Sequence, residues 1–325
     1  MRFYIIGLGS MGKRRIRNLL SLGFDKKQIF GFDTDKKKVE DTIKNYKIKA
    51  MSNFNRGFQF FDPNILIIST PPDRHHEYFL FAAKHKIHFF SEISTTSLGY
   101  SKLLTLLDDT FVAAPSCTFR FLFPITKIKE LLHNKEIGKP LFFNLYLGQY
   151  LPDWHWYEDY RKVYFSKGES GGCKEMLLYE ILWLTYIFSS SLIKVQGFRD
   201  KLSDLEIEAD DYYSAFITLE NHVVGNVVID LINRKAERSL KIIGSDGTLD
   251  WNWLDDKLVI HKIGGKIRKF KLKSNIPYSG YNTSEEVYIS EMKNFCEAIK
   301  KKTKYIYNYE EDYKHLKLVE KFSKY

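Results

Sequence analysis

Gly7, Gly9 and Gly12 stand in the pattern G-x-G-x-x-G within "IIGLGSMGKRRI". Glycine is needed at each place for a separate reason. The first permits a tight turn, the second lets the backbone approach a pyrophosphate, and the third lets a helix pack closely on a strand. Ser10 and Met11 fill the free positions, at the start of a helix whose unpaired N–H groups would face the phosphates. Asp33 follows Gly12 by 21 residues, in "FGFDTD". A carboxylate there accepts hydrogen bonds from both ribose hydroxyls and repels a 2′-phosphate. Capping the next helix is the competing task for Asp33, but Asp35 can take it. The chemistry implied is dinucleotide binding, with NAD(H) preferred over NADP(H). Arg14 and Arg15 are the charges that would soften that preference.

A second reactive group lies in "GGCKEMLLYEILWLTYIF", residues 171–188. The stretch is apolar for most of its length, yet it carries two carboxylates, Glu175 and Glu180. Upstream, "YLPDWHWYEDYRKVYF" (150–165) interleaves seven aromatic rings with His155, Glu158, Asp159 and Arg161. Rings offer flat apolar faces to sugar C–H groups, Arg161 is the natural anion clamp, and His155 is a further acid–base candidate. For any single ring, packing against a sheet or an interface is the plainer reading. The cluster, with four ionisable residues, reads as a site.

These groups need a scaffold. At 325 residues the chain is too long for one typical core and is expected to form two domains, 1–118 and 119–325. In the first, apolar runs at 3–6, 28–32, 64–69, 88–91 and 111–115 alternate with helical patterns after Gly7 and at 36–45, 74–86 and 97–107. Buried strands alternating with helices give a parallel sheet covered on both faces. Beyond 118, a helix over 125–138 ends in glycine, 211–231 reads as two strands joined at Glu220 and Asn221, and helical patterns at 284–300 and 310–322 close the chain. Consecutive strands without intervening helices give an antiparallel or mixed sheet. The expected fold class is α/β in the first domain and α+β in the second.

Other function classes fall away. Apolar residues make up 44% and charged residues 28%, a folded globular balance. The stretch 171–188 carries Glu180 at its middle, whereas a membrane span needs about 20 uninterrupted apolar residues. No membrane partner is expected. The net charge of +10 is concentrated in residues 1–118, with 18 Lys and Arg against 11 Asp and Glu, where it would favour an anionic ligand. The tight basic blocks, Lys36–Lys38 and Lys300–Lys302, are too short for a nucleic-acid footprint. His75 and His76 have no third ligand at metal-binding spacing, so no metal is expected. Cys173 has no basic partner to make it a thiolate. Cys117, Cys173 and Cys296 form no CxxC pair and no signal-peptide core precedes Gly7, which points to the cytoplasm.

The chain resembles the glucose-fructose oxidoreductase / inositol dehydrogenase (Gfo/Idh/MocA) family. The resemblance rests on "IIGLGSMGKRRIRNL", "IISTPPDRHHEYFLFAAKHKIHFFSE", "EIGKPL", "GSDGTLDW" and the glycine-led helix at 171, and covers nearly all of the chain. It implies an N-terminal Rossmann domain, a C-terminal open sheet used to form a homo-oligomer (dimer or tetramer), and hydride exchange between a nicotinamide cofactor and a sugar, cyclitol or related carbinol. "GQYLPDWHWYEDYR" beside "GGCKEM" is similar to members associated with bacterial surface sugars, nucleotide-linked ones included. Thr70, Pro71 and His75 match the family's loop along the nicotinamide half of the cofactor, and Glu92 matches its glutamate near the nicotinamide ribose. The family's next residue, a lysine that holds and polarises the substrate oxygen, is Ile93 here, and the following proline is Ser94. On the helix, the family's Asp, His and Asp become Glu175, Tyr179 and Leu182. The resemblance therefore implies an enzyme with an altered catalytic set. Proton transfer falls to Tyr179 or His155 and substrate orientation to Glu175, Glu180 and Arg161, with substrate expected beside the nicotinamide and against residues 150–180. The alternatives are an enzyme that keeps NAD bound and recycles it, and a non-catalytic NAD-binding sensor or partner-binding protein.

Overall fold

The computed structural model of the protein describes residues 1–154, 159–168, 171–254, 257–272, 284–301 and 303–322. They fall into two units, Met1–Thr118 with Glu285–Tyr313, and Phe119–Ser284 with Lys314–Tyr325.

In the first unit, strands of three or four residues alternate with helices: β1 (Phe3–Ile6), α1 (Ser10–Ser21), β2 (Ile29–Phe32), α2 (Lys36–Tyr46), β3 (Lys49–Met51), α3 (Phe54–Phe61), β4 (Ile65–Ile68), α4 (His75–Lys84), β5 (His88–Ser91), α5 (Tyr100–Leu104) and β6 (Ala113–Pro115). Every pairing is parallel, in the order β3-β2-β1-β4-β5-β6. β1, β2 and β4 are buried on both faces, which is why they read as unbroken apolar runs. The order reverses at β1, so the ends of β2 and β4 lie on either side of it. Sheets of this kind bind ligands at that switch point. β3 is not legible from periodicity, whereas α3, with Phe54, Phe58 and Phe61 at i, i+4 and i+7, carries a helical pattern that the sequence reading passed over. β3 has three half-exposed or exposed residues, and α3 starts on an Asn53 cap and packs through rings, Phe54 stacking on Tyr4 at 5.5 Å.

The second unit contains α6 (Phe123–His133), β7 (Pro140–Gly148), α7 (Leu151–Trp154), α8 (Gly172–Phe188), β8 (Leu192–Asp200), β9 (Tyr212–Leu219), β10 (Val224–Asp230), β11 (Glu237–Gly244), β12 (Gly247–Asn252), β13 (Lys257–Lys262) and β14 (Ile267–Lys271). Its strands form one sheet, β14-β13-β12-β11-β7-β10-β9-β8. All neighbours are antiparallel except β7 and β10, which run parallel. α8 packs on the sheet at β9 and β10 and against α6. That enclosure explains an apolar surface nearly all round the helix, with Glu175 and Glu180 buried in it. Among the described residues no helix is long and apolar enough to cross a membrane.

The chain closes with α9 (Glu285–Ile299) and α10 (Tyr309–Glu320). Residues 285–313 group with the first unit. The cause is hydrophobic. Met292, Phe295 and Cys296 of α9 complete the core formed by Ile5, Ile16, Leu19 and Phe90.

Candidate functional site

β1 delivers the chain into Gly7, whose φ of 89° is easy only for glycine. A β-carbon there would lie 2.5 Å from the Ser69 carbonyl oxygen, and one on Gly12 would lie 1.8 Å from the Gly7 carbonyl oxygen. The turn and α1 can pack this closely only without side chains. Gly9 is different: a β-carbon would meet nothing within 4 Å, so that side of the turn is open. Gly9 also occupies the N-cap of α1 and offers no side-chain cap. Ser10 is exposed and Met11 half-buried beside it. The first-turn N–H groups therefore face an open cradle with no side-chain acceptor, which fits a pyrophosphate.

Asp33 is buried at the end of β2. Its Oδ2 accepts from the Leu8 N–H at 2.8 Å and its Oδ1 from the Asp35 N–H at 2.9 Å, so the carboxylate is fixed against the glycine turn and keeps further lone pairs for a ligand. Asp35 caps α2, accepting from the Lys37 N–H at 2.8 Å, which releases Asp33 from that task as expected. Across β1, Thr70 and Pro71 follow β4. The Thr70 hydroxyl is buried without a hydrogen-bond partner, an arrangement that also fits a ligand in this unit.

Arg14, Arg15, Glu92 and His75 are each held by protein partners of their own. Arg14 pairs with Glu285 at 3.1 Å and stacks on Tyr288 at 4.2 Å. Arg15 is fully buried and bonds both oxygens of Glu92 at 2.7 Å and Glu291 at 2.9 Å. Glu92, expected near the nicotinamide ribose, therefore belongs to a buried ionic core and also accepts from the Ser69 hydroxyl at 3.2 Å. His75, expected as a cofactor contact, spends both ring nitrogens on Thr70 and Ser94. Ile93 is buried, so nothing at that position replaces the lost lysine.

In the second unit, Glu175 lies in the first turn of α8, and Oε1 accepts a hydrogen bond from the Tyr164 hydroxyl at 3.0 Å. Oε2 is buried without a partner. Burial pushes the carboxyl up from its ordinary 4.5 to about 8, with the Tyr164 bond pulling the other way. Tyr179, one turn on, is half-buried with its ring 5.4 Å from that of Phe119. Glu180 has another role than the expected orientation of substrate. Its oxygens accept from Arg238 at 3.0 Å and from the Trp183 indole at 2.9 Å, and it is wholly buried. Arg238 in turn lies over Phe119 and Trp253, so this pair braces α8 against β11.

Arg161, expected to clamp an anion, is held by its own neighbourhood. It makes a two-pronged pair with Asp159 at 2.7 and 3.1 Å and meets Glu206 at 3.1 Å, at a half-exposed position. His155, Trp156, Tyr157 and Glu158 lie outside the described residues. Among the described residues no group of three or more His, Cys, Asp or Glu could hold a metal. Sequence reasoning passed over the Tyr164–Glu175 bond, which no periodicity announces. Arg15 did leave a signal: it shares a face of α1 with Gly12 and Leu19, at i, i+3 and i+7, the face that must be buried.

The comparisons agree with this geometry. Residues 1–108 match the oxidoreductase family with an NAD-binding Rossmann fold, and residues 125–250 match the GFO/IDH/MocA C-terminal domain. No curated protein sequence matches. Among solved structures, an oxidoreductase from Agrobacterium radiobacter in complex with NAD+, L-tartaric acid and magnesium is similar, with a TM-score of 0.84 at 14% identity over 99% of this chain and 95% of that one. Levoglucosan dehydrogenase in complex with NADH and levoglucosan gives 0.82 at 16% identity, over 98% of this chain and 95% of the other. The WlbA dehydrogenase from Bordetella pertussis, in complex with NADH and UDP-GlcNAcA, gives 0.77 at 15% over 98% and 93%. At these identities the structures speak for the fold, and the two matched segments speak for the family. The chain belongs to the Gfo/Idh/MocA family of oxidoreductases, with a nicotinamide dinucleotide as its cofactor.

Proposed function

We propose that the protein oxidises or reduces a sugar or sugar derivative, nucleotide-linked sugars included, using NAD(H) in preference to NADP(H). The observation that carries the catalytic part is Glu175, a buried carboxyl with one oxygen bonded to Tyr164 and the other unshared. The bound nicotinamide would take or supply the hydride. The proton falls to this chain's own residues. Glu175 carries it on Oε1, and Tyr164, a residue 41% exposed, relays it: the phenol gives its proton to the substrate oxygen as the Oε1 proton replaces it, and both transfers reverse in oxidation. Tyr179, expected to transfer the proton itself, becomes a substrate-facing ring on the same helical face. The sugar class rests on the family and on two of the similar structures, whose ligands are levoglucosan and UDP-GlcNAcA.

A carboxyl held near 8 stays protonated at pH 7, ready to donate to a carbonyl under reduction. Carbinol oxidation needs the deprotonated form and is expected to accelerate as pH rises through about 8. Glu175→Gln should abolish that limb and lower turnover by about 10²–10⁴-fold. Stability supplies an independent reading. The folded state retains a proton that the unfolded state releases between 4.5 and about 8, so stability falls as pH rises through that window. Glu175→Gln should remove the slope in a series of melting curves. A pH–rate profile in which the variant keeps the limb near 8 sinks the assignment.

The preference for NAD(H) rests on Asp33. All four basic residues of α1, Lys13, Arg14, Arg15 and Arg17, are drawn to other carboxylates, so none is committed to offsetting its charge. Asp33→Asn keeps one acceptor and removes the repulsion, and is expected to narrow the NADH-over-NADPH affinity ratio by at least about tenfold. Fluorescence titration of both nucleotides checks it, and an unchanged ratio counts against the role. For self-association, the open face of the second sheet is the surface assigned, where Phe216 and Ile243 are exposed among polar neighbours.

A further inference from the structure

The buried His75 ring joins two loops of the first unit. Its Nε2 lies 2.8 Å from the carbonyl oxygen of Thr70, which can only accept, so Nε2 carries the proton of the neutral ring. Nδ1 is then a lone pair, and the Ser94 hydroxyl at 3.1 Å donates to it. Burial keeps the ring neutral, lowering it to about 4 against the pull of the Thr70 carbonyl. Ser94 is itself 2% exposed. A single serine hydroxyl thus ties the loop after β4 to the loop after β5. Proline, which stands here in the family the sequence resembles, has no donor for this bond.

The strand order says which part of a dinucleotide these loops serve. Asp33 ends β2 on one side of β1, while Thr70 and Ser94 follow β4 and β5 on the other. With the adenosine ribose at Asp33 and the pyrophosphate across the glycine turn, the nicotinamide half falls on the Thr70 side. There the Thr70 hydroxyl is buried and unpartnered while its carbonyl is held by His75.

We propose that Ser94 is a positioning residue for the nicotinamide half of the cofactor: through His75 it fixes the Thr70 segment, touching no cofactor atom itself. This rests on the nicotinamide reading of the first unit. The test compares binding of NADH with that of ADP-ribose, which lacks the nicotinamide, to the full chain and its Ser94→Ala and Ser94→Thr variants. The ¹⁵N shift of His75 Nδ1, assigned with a His75→Asn variant, is the second readout. Ser94→Ala is expected to weaken NADH by about three- to tenfold, the effect of one hydrogen bond, while ADP-ribose holds within about twofold. The Nδ1 resonance should move to that of an unbonded lone pair, and Ser94→Thr should restore both. Equal weakening of the two ligands, or a lowered melting temperature with NADH affinity intact, overturns the proposal and leaves Ser94 a packing residue. Failure of the wild-type protein to bind either ligand removes the nicotinamide reading itself, and the proposal with it.

Discussion

Arg15→Ala is expected to cost about 3–5 kcal/mol of stability, the largest loss from any single substitution considered for this chain. Burial alone would lower the pKa of the Arg15 guanidinium, but the charges and hydrogen bonds of Glu92 and Glu291 more than reverse that and hold it raised. The dependence is mutual. Glu291 is wholly buried and accepts from the Ser116 hydroxyl at 3.0 Å, the Cys117 N–H at 2.6 Å and the Thr118 hydroxyl at 2.9 Å, yet Arg15 is the cation it meets. Without the guanidinium, two carboxylates remain in the interior with no counter-charge. Arg15→Lys should recover little, because one ammonium cannot bond both oxygens of Glu92 and reach Glu291 as a planar fork does. Urea denaturation measures the loss. A shift below about 1 kcal/mol would place the three groups in contact with water. Adding Glu92→Gln to Arg15→Ala should destabilise by less than the sum, since one orphaned charge is gone.

The glycine turn gives the second large effect, and it divides by position. Gly12→Ala puts a β-carbon 1.8 Å from the Gly7 carbonyl oxygen. Backbone occupies both sides, so α1 must move off β1, at a cost at or beyond the upper end of about 1–3 kcal/mol. Gly9→Ala meets nothing within 4 Å and should melt like the wild type. Its methyl group would stand in the cradle itself, so NADH affinity should fall by at least about tenfold with stability preserved. Thermal melting paired with NADH titration separates the two. If Gly9→Ala bound NADH normally, the pyrophosphate could not lie where the turn offers its N–H groups.

Much of the first unit was legible because its strands are buried on both faces and its turn needs glycine for steric reasons a sequence displays openly. "FYII" and "NILIIS" announce strands, and the three glycines announce the cradle. What the sequence hid were partnerships. Glu92 and Arg15 stand far apart along the chain, and nothing local shows that one takes up the other. Glu180 and Glu175 look alike in a helical wheel. Arg238 and Trp183 make the first a brace, whereas the second is left with one phenol and a proton. Arg161 read as a free cation only because the Asp159 beside it read as a free anion. β7 went unread as well: its partners β11 and β10 come some 80 to 100 residues later in the chain, beyond the reach of any window.

The return of α9 to the first unit sets an order on synthesis. A ribosome adds about 5–20 residues per second, so the first 118 residues emerge many seconds before Glu291, Met292 and Phe295 do. Throughout that interval Arg15 has Glu92 but lacks its second carboxylate, and the nascent sheet lacks part of its apolar cover. The glycine turn is therefore among the first structures translated, yet the core beneath its helix is completed only once α9 has emerged.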